Sequence, residues 1–192
     1  MLQNVLKYLS LSVVVCLAGC TTPWKASIYE ILQVPASTRI YLTSNHWFTQ
    51  PLEMDSFNYQ TGDILTFGTE VFDVDFDDDF VSFKSKESGL AFRIALMKNY
   101  AMISMNQYLK KTFMATNPAE MELTINATTF EKIVRGVVEE GMTKDQVQIA
   151  YGEPSRHRTP SMKADTWIYH ESNAQTKRVV FKKGIVTHLL NY

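Results

Sequence analysis

Residues 141–154 constrain the fold more than any other stretch, because they specify a helix with both ends marked. Thr143 reads as the N-cap, Gln146 three residues on completes a capping box, and Met142 just before the cap staples onto Val147. Gly152 closes the helix, since a glycine takes the left-handed conformation that satisfies the last carbonyls, and Pro154 keeps it from restarting. A second helix precedes it. Thr128 opens that one with a capping box through Glu131, Phe130, Ile133, Val134, Val137 and Val138 follow one helical face, and Gly141 ends it. After Pro154 the pattern turns to strands at 165–170, 177–182 and 185–190. Trp167 and Tyr169 share one face of the first, and Val179 and Phe181 share one face of the second. Lys183-Gly184 is a tight hairpin turn and Ser172-Asn173-Ala174 a looser one. Residues 127–192 therefore predict the order helix, helix, strand, strand, strand. Trp167 and Tyr169 are expected under those helices, with a recognition patch as the alternative.

Ahead of this unit, residues 28–115 read as a β-rich unit with a trailing helix. Strands are expected at 28–34 and 39–44, rich in β-branched and aromatic residues, followed by an irregular connection over 45–57. Further strands are expected at 64–67, 70–76, 80–84 and 90–96, with Gly62-Asp63, Gly68 and Glu87-Ser88-Gly89 as turns. Short strands at this spacing predict a small barrel or a curled sheet. Residues 98–111 hold no Gly or Pro and predict one helix, apolar on more than one face, as suits a helix wedged between two units. Residues 116–126, centred on Asn117-Pro118, read as a linker, with 121–125 either a last strand or a lead-in to the second unit. The fold class is α+β.

The first nineteen residues stand apart. Lys7 is followed by an apolar run over 9–17, too short for a lasting membrane span, which predicts a signal peptide. The run ends in Leu17-Ala18-Gly19-Cys20, which resembles the lipobox of bacterial lipoproteins. The resemblance implies cleavage before Cys20 and acylation of its thiol, and several acyl chains give stable anchoring. It further implies, through Thr21 in place of an Asp, export to the outer membrane, with residues 20–27 as a tether. Cys16 leaves with the signal peptide and Cys20 carries lipid, so no cysteine remains for a disulfide, a nucleophile or a metal. The covalent lipid is the one non-protein group expected, and no cofactor is assigned.

Gly141-Met142-Thr143, Val147, Gly152 and Pro154, then Trp167, Tyr169, Val179 and Phe181, resemble the SmpA/OmlA/BamE family of outer-membrane lipoproteins. The resemblance covers about residues 127–192. It implies a fold similar to the repeats of β-lactamase inhibitory protein, two helices laid on a three-stranded antiparallel sheet. It also implies a non-catalytic role in outer-membrane protein assembly or envelope integrity, through contacts with envelope proteins and, in some members, anionic phospholipid. Some hundred additional residues ahead of that unit distinguish this chain from the compact members. A periplasm-facing binding or inhibitor protein is the alternative role.

The remaining features exclude more than they assign. Nineteen basic residues against twenty acidic give no net attraction for nucleic acid. The Asp73, Asp75, Asp77, Asp78, Asp79 cluster lacks the Gly and Glu of an EF-hand, with Asp78 and Lys84 in their places, and reads as an acidic hairpin tip. His46, His157, His170 and His188 have no metal-ligand spacing, so no metal site is assigned. No Gly-x-Ser-x-Gly elbow exists, and no catalytic residue is assigned. Arg156, His157, Arg158 and Lys163 form a basic loop after Pro154 that is a candidate contact for phospholipid or an acidic partner.

Overall fold

The computed structural model describes residues 26–122, 124–172 and 174–191. The signal peptide, Cys20, Thr21 and the greater part of the tether lie outside the described residues, as does Asn173 of the looser turn. In chain order the elements are α1 (Ile28–Leu32), β1 (Ile40–Leu42), β2 (His46–Phe48), β3 (Met54–Asp55), β4 (Asp63–Leu65), β5 (Glu70–Phe76), β6 (Phe80–Ser85) and β7 (Ala91–Ala95). They continue with α2 (Lys98–Ala101), α3 (Met105–Thr112), β8 (Phe113–Met114), α4 (Pro118–Glu122), α5 (Ala127–Val134), α6 (Lys144–Tyr151), β9 (Thr166–His170), β10 (Thr176–Lys182) and β11 (Ile185–Asn191). The fold is α+β.

A curled six-stranded sheet in the order β3-β7-β6-β5-β1-β8 carries the first core. It is antiparallel except for the β3–β7 pair. Ile40, Leu42, Val81, Phe83, Phe92, Ile94 and Phe113 fill its concave side beneath α1 and α3. The second core lies between α5, α6 and the antiparallel sheet β11-β10-β9, and is built on Ile133, Val147, Ala150, Trp167, Tyr169, Val179 and Phe181. Lys183 and Gly184 both have positive φ, 52° and 80°, the twist a two-residue hairpin needs.

Between the cores runs a two-stranded ribbon, in which β2, from the stretch expected to be irregular, pairs with β4, which overlaps the strand expected at 64–67. Strand side chains alternate faces, and here both faces are apolar. Trp47, opposite Ile64, enters the second core, whereas Phe48 and Leu65 enter the first. A strand buried on both sides shows no polar alternation, so its period is invisible in the sequence.

Several local expectations are corrected. Residues 28–34 are not a strand: Ser27 and Glu30 form a complete capping box, which nucleates α1 despite the β-branched residues. The helix expected over 98–111 is two, because Met102 turns left-handed (φ 54°) and Ser104 with Gln107 starts α3 through its own capping box. Of the two readings of 121–125, the described residues fit the lead-in and not the strand: α4 runs to Glu122, and Met121 and Ile125 pack on the second core. The cap of α5 is Asn126, not Thr128, its side-chain oxygen accepting from Thr129 N, and the helix ends at Val134, ahead of Gly136 rather than Gly141. Val138 is still buried, but Val137 is exposed. In β5 the alternation breaks at Asp73, where positive φ and a register shift mark a bulge: Phe72 faces outward beside buried Val71, and beyond the bulge Val74 and Phe76 pack on the first core.

Candidate functional site

The helix that anchors the sequence reading also positions the site. Its start is closed locally, since Thr143 Oγ1 accepts from Gln146 N at 3.2 Å and Gln146 Oε1 accepts from Thr143 N at 2.9 Å. Its end is closed from the other half of the chain. Pro154 has no N–H to offer the Ala150 carbonyl, four residues back. Asn45 N donates to Ile149 O at 3.0 Å, Asn45 Nδ2 to Ala150 O at 3.0 Å, and Asn58 Nδ2 to Tyr151 O at 3.2 Å. Tyr169 then donates its hydroxyl to Gly152 O at 3.0 Å. Asn45 is fully buried. It also donates to Ile133 O at 2.6 Å and accepts from Phe67 N at 2.7 Å, so both ends of its amide are fixed by opposite partners. Gly152 (φ 77°) permits this approach, because a Cβ there would meet Asn58 Nδ2 at 3.0 Å.

Against this junction lies a small cavity of about 70 Å³, lined on one side by Ser44, His46, Ser56 and Asn58, and on the other by Glu153, Ser155 and Arg156. Tyr108, Lys111 and Thr112 of α3 close it. His46 is buried and its Nδ1 lies 3.1 Å from Ser44 O. Burial pushes its pKa down to about 4, so the ring is neutral at pH 7, with Nδ1–H donating to that carbonyl. Lys111 and Glu153 form an ion pair across the cavity wall. Arg156 has no hydrogen bond or ion pair among the described residues, and the buried Ser155 hydroxyl has no partner there.

An aromatic stack borders the cavity. Phe57 contacts Tyr59, Tyr100 and His170 with ring centroids 5.3, 4.6 and 5.6 Å apart, and Tyr100 meets His157 edge-on at 5.5 Å. Burial first, then the positive charge of Arg158 and the nearby His157, hold the His170 pKa below its ordinary value. A second, larger cleft of about 250 Å³ is lined by Trp47, Gln50, Glu53, Asp55, Tyr59 and Thr61 among others, and its charged groups are acidic. Burial raises the Asp55 carboxyl pKa.

The structure divides the residues singled out in the sequence. Trp167 and Tyr169 are 1% and 4% exposed, so they pack the sheet under the helices and present no recognition surface. Arg156 turns to the cavity, whereas His157 and Arg158 are exposed. Lys163 is exposed at the loop's far end, which Lys144 pins by donating to the Met162, Lys163 and Ala164 carbonyls at 3.2, 3.2 and 2.7 Å. The acidic tip is a capped turn, with Asp77 Oδ1 accepting from Asp79 N and Phe80 N at 2.8 Å each. Among the described residues no group of three His, Cys, Asp or Glu is placed to hold a metal. Sequence reasoning missed Asn45, Asn58, His46 and Ser155. Only the Ala150–Pro154 spacing, which demands an outside donor, pointed toward the first of these. No family model, curated protein or solved structure matches the chain.

Proposed function

We propose that this chain is a lipoprotein anchored through Cys20 to the periplasmic face of a bacterial outer membrane, acting as a non-catalytic scaffold or accessory factor in envelope or outer-membrane protein assembly. The observation that carries the reading is the pairing of Leu17-Ala18-Gly19-Cys20 with a C-terminal unit ordered helix, helix, strand, strand, strand. Two features of that unit support the resemblance to the SmpA/OmlA/BamE family. One is the capped α6 ending at Gly152-x-Pro154, and the other is Trp167, Tyr169, Val179 and Phe181 in one core. On this reading the unit has the fold of a β-lactamase inhibitory protein repeat. Among the described residues no helix is long and apolar enough to cross a membrane, so membrane attachment in this reading rests on the lipid.

The alternative role, a periplasm-facing binding or inhibitor protein, draws support from the outer face of the β9–β11 sheet. Val179 faces the core opposite Trp167 and Leu189, so its neighbour Arg178 faces outward between Ile168 and Leu190. That row mixes apolar contact with one charge, as a protein-binding face does.

Labelling of cells with radioactive palmitate, combined with membrane fractionation, tests the anchor. The wild-type chain takes up label and sediments with outer membrane, and Cys20→Ala takes up none and accumulates unprocessed. Uptake of label by Cys20→Ala would falsify the assignment. Crosslinking in intact cells separates the two roles, since a scaffold captures membrane-assembly proteins and an inhibitor a single soluble target.

A further inference from the structure

The cavity at the junction has the composition of an anion site, and its charges can be counted. Lys111 and Arg156 contribute two positive charges, Glu153 one negative, and His46 none at pH 7, which leaves one positive charge. That excess belongs to Arg156, because Lys111 is already neutralised by Glu153. The Arg156 guanidinium has no protein partner among the described residues and keeps access to solvent, whereas the buried Ser155 hydroxyl beside it carries an unrecovered desolvation cost. The two residues are consecutive and line the same cavity. Ser56 adds a third group, since its Oγ accepts from Met97 N at 2.9 Å and its hydroxyl proton is left to donate.

Size and surroundings narrow the ligand. About 70 Å³ accommodates a few water-sized groups, enough for a carboxylate with its neighbouring carbon and too little for a sugar ring or an acyl chain. One net positive charge and a planar fork of donors suit a single carboxylate. Three separate chain segments give one residue to the cavity and the adjacent one to the aromatic stack: Asn58 beside Phe57 and Tyr59, Ala101 beside Tyr100, and Arg156 beside His157. A carboxylate in the cavity therefore has a partly exposed apolar shelf next to it for whatever carries the group.

We propose that the crevice between the two cores binds a carboxylate through Arg156, Ser155 and Ser56, presented by a small acid or by a free peptide C-terminus whose last side chains rest on the Phe57–Tyr100 shelf. The site stands on this geometry and does not depend on the lipid anchor.

The test is thermal unfolding and calorimetric titration of the full chain in detergent, at constant ionic strength. The probes are N-acetyl-alanine, its uncharged amide, an acetylated Phe-Ala dipeptide acid, acetate and inorganic phosphate. The acids raise the unfolding temperature and the amide leaves it unchanged. A dipeptide acid at least fivefold tighter than acetate identifies a peptide C-terminus, and equal affinities identify a small acid. Arg156→Gln weakens binding of the acids at least tenfold, whereas Arg158→Gln, at an exposed site outside the cavity, changes it less than twofold. Ser155→Ala, which removes a hydroxyl without partners and leaves the fold intact, weakens it several-fold. Equal binding of acid and amide, phosphate binding tighter than every acid, or equal losses in Arg156→Gln and Arg158→Gln overturns the proposal.

Discussion

Replacing Asn45 by alanine removes the side chain on which both halves of the molecule converge. The amide makes three hydrogen bonds, to Ile133 O, Ala150 O and Phe67 N, at 2.6, 3.0 and 2.7 Å. Ile133 O keeps a partner in Gly136 N at 2.9 Å, so alanine orphans two groups, the Phe67 N–H and the Ala150 carbonyl. Each buried polar group left without a partner costs roughly 1–3 kcal/mol. Ala150 O has no helical donor to fall back on because residue 154 is proline. Water entering from the adjacent cavity offsets part of the penalty, and the expected loss is about 3 kcal/mol. Urea denaturation followed by Trp fluorescence reads it, since Trp47 and Trp167 are both in the second core. Asn45→Asp serves as the control. It keeps the acceptor for Phe67 N but sets an oxygen, charged unless protonated, against two carbonyls, and loses at least as much as alanine. A loss below about 1 kcal/mol for Asn45→Ala would mean that the end of α6 is satisfied by other donors, and would sink the argument that this residue joins the two halves of the chain.

Gly136→Ala is expected to cost about 2–4 kcal/mol, as backbone strain at φ 65° adds to overpacking where a Cβ would meet the Trp47 ring at 2.6 Å and Ile64 Cδ1 at 2.9 Å. Gly141→Ala, at φ 92° with nothing within 4 Å, costs only the strain of about 1 kcal/mol, and equal losses in chemical denaturation would refute the ribbon packing. His46 gives a pH dependence with a definite sign. Its folded pKa of about 4 lies below the ordinary 6.5, so the folded state holds fewer protons between those values and stability falls as pH drops through that window. At pH 5 the contribution amounts to about 2 kcal/mol relative to pH 7, absent in His46→Gln. An imidazole resonance that titrates near 6.5 by NMR contradicts it.

The sequence determined those features whose causes lie within a few residues. The start of α6 is one, because Thr143 and Gln146 close it between themselves, and the hairpin at Lys183-Gly184 is another, because its two positive φ angles are a property of the turn. Strands β1, β4, β5, β6, β7, β9, β10 and β11 are legible through their turns and aromatic or β-branched runs. The capping boxes at Ser27 and Ser104 are equally local, but the β-branched run of α1 and the unbroken apolar stretch over α2 and α3 mask them in the composition. Tertiary structure decided the rest. Strand β2 of the ribbon hides its period because it is buried on both faces, and the cavity exists only because residues 44–58, 101–112 and 152–156 meet. The end of α6 makes the contrast within a single helix. Gly152 and Pro154 dictate that it stops, but a proline also withholds the donor its last turn needs, and no neighbour in sequence replaces it. Asn45 and Asn58, roughly a hundred residues earlier, supply those donors. A hydrogen bond across that separation leaves no periodicity to read, since it depends on two cores packing against one ribbon.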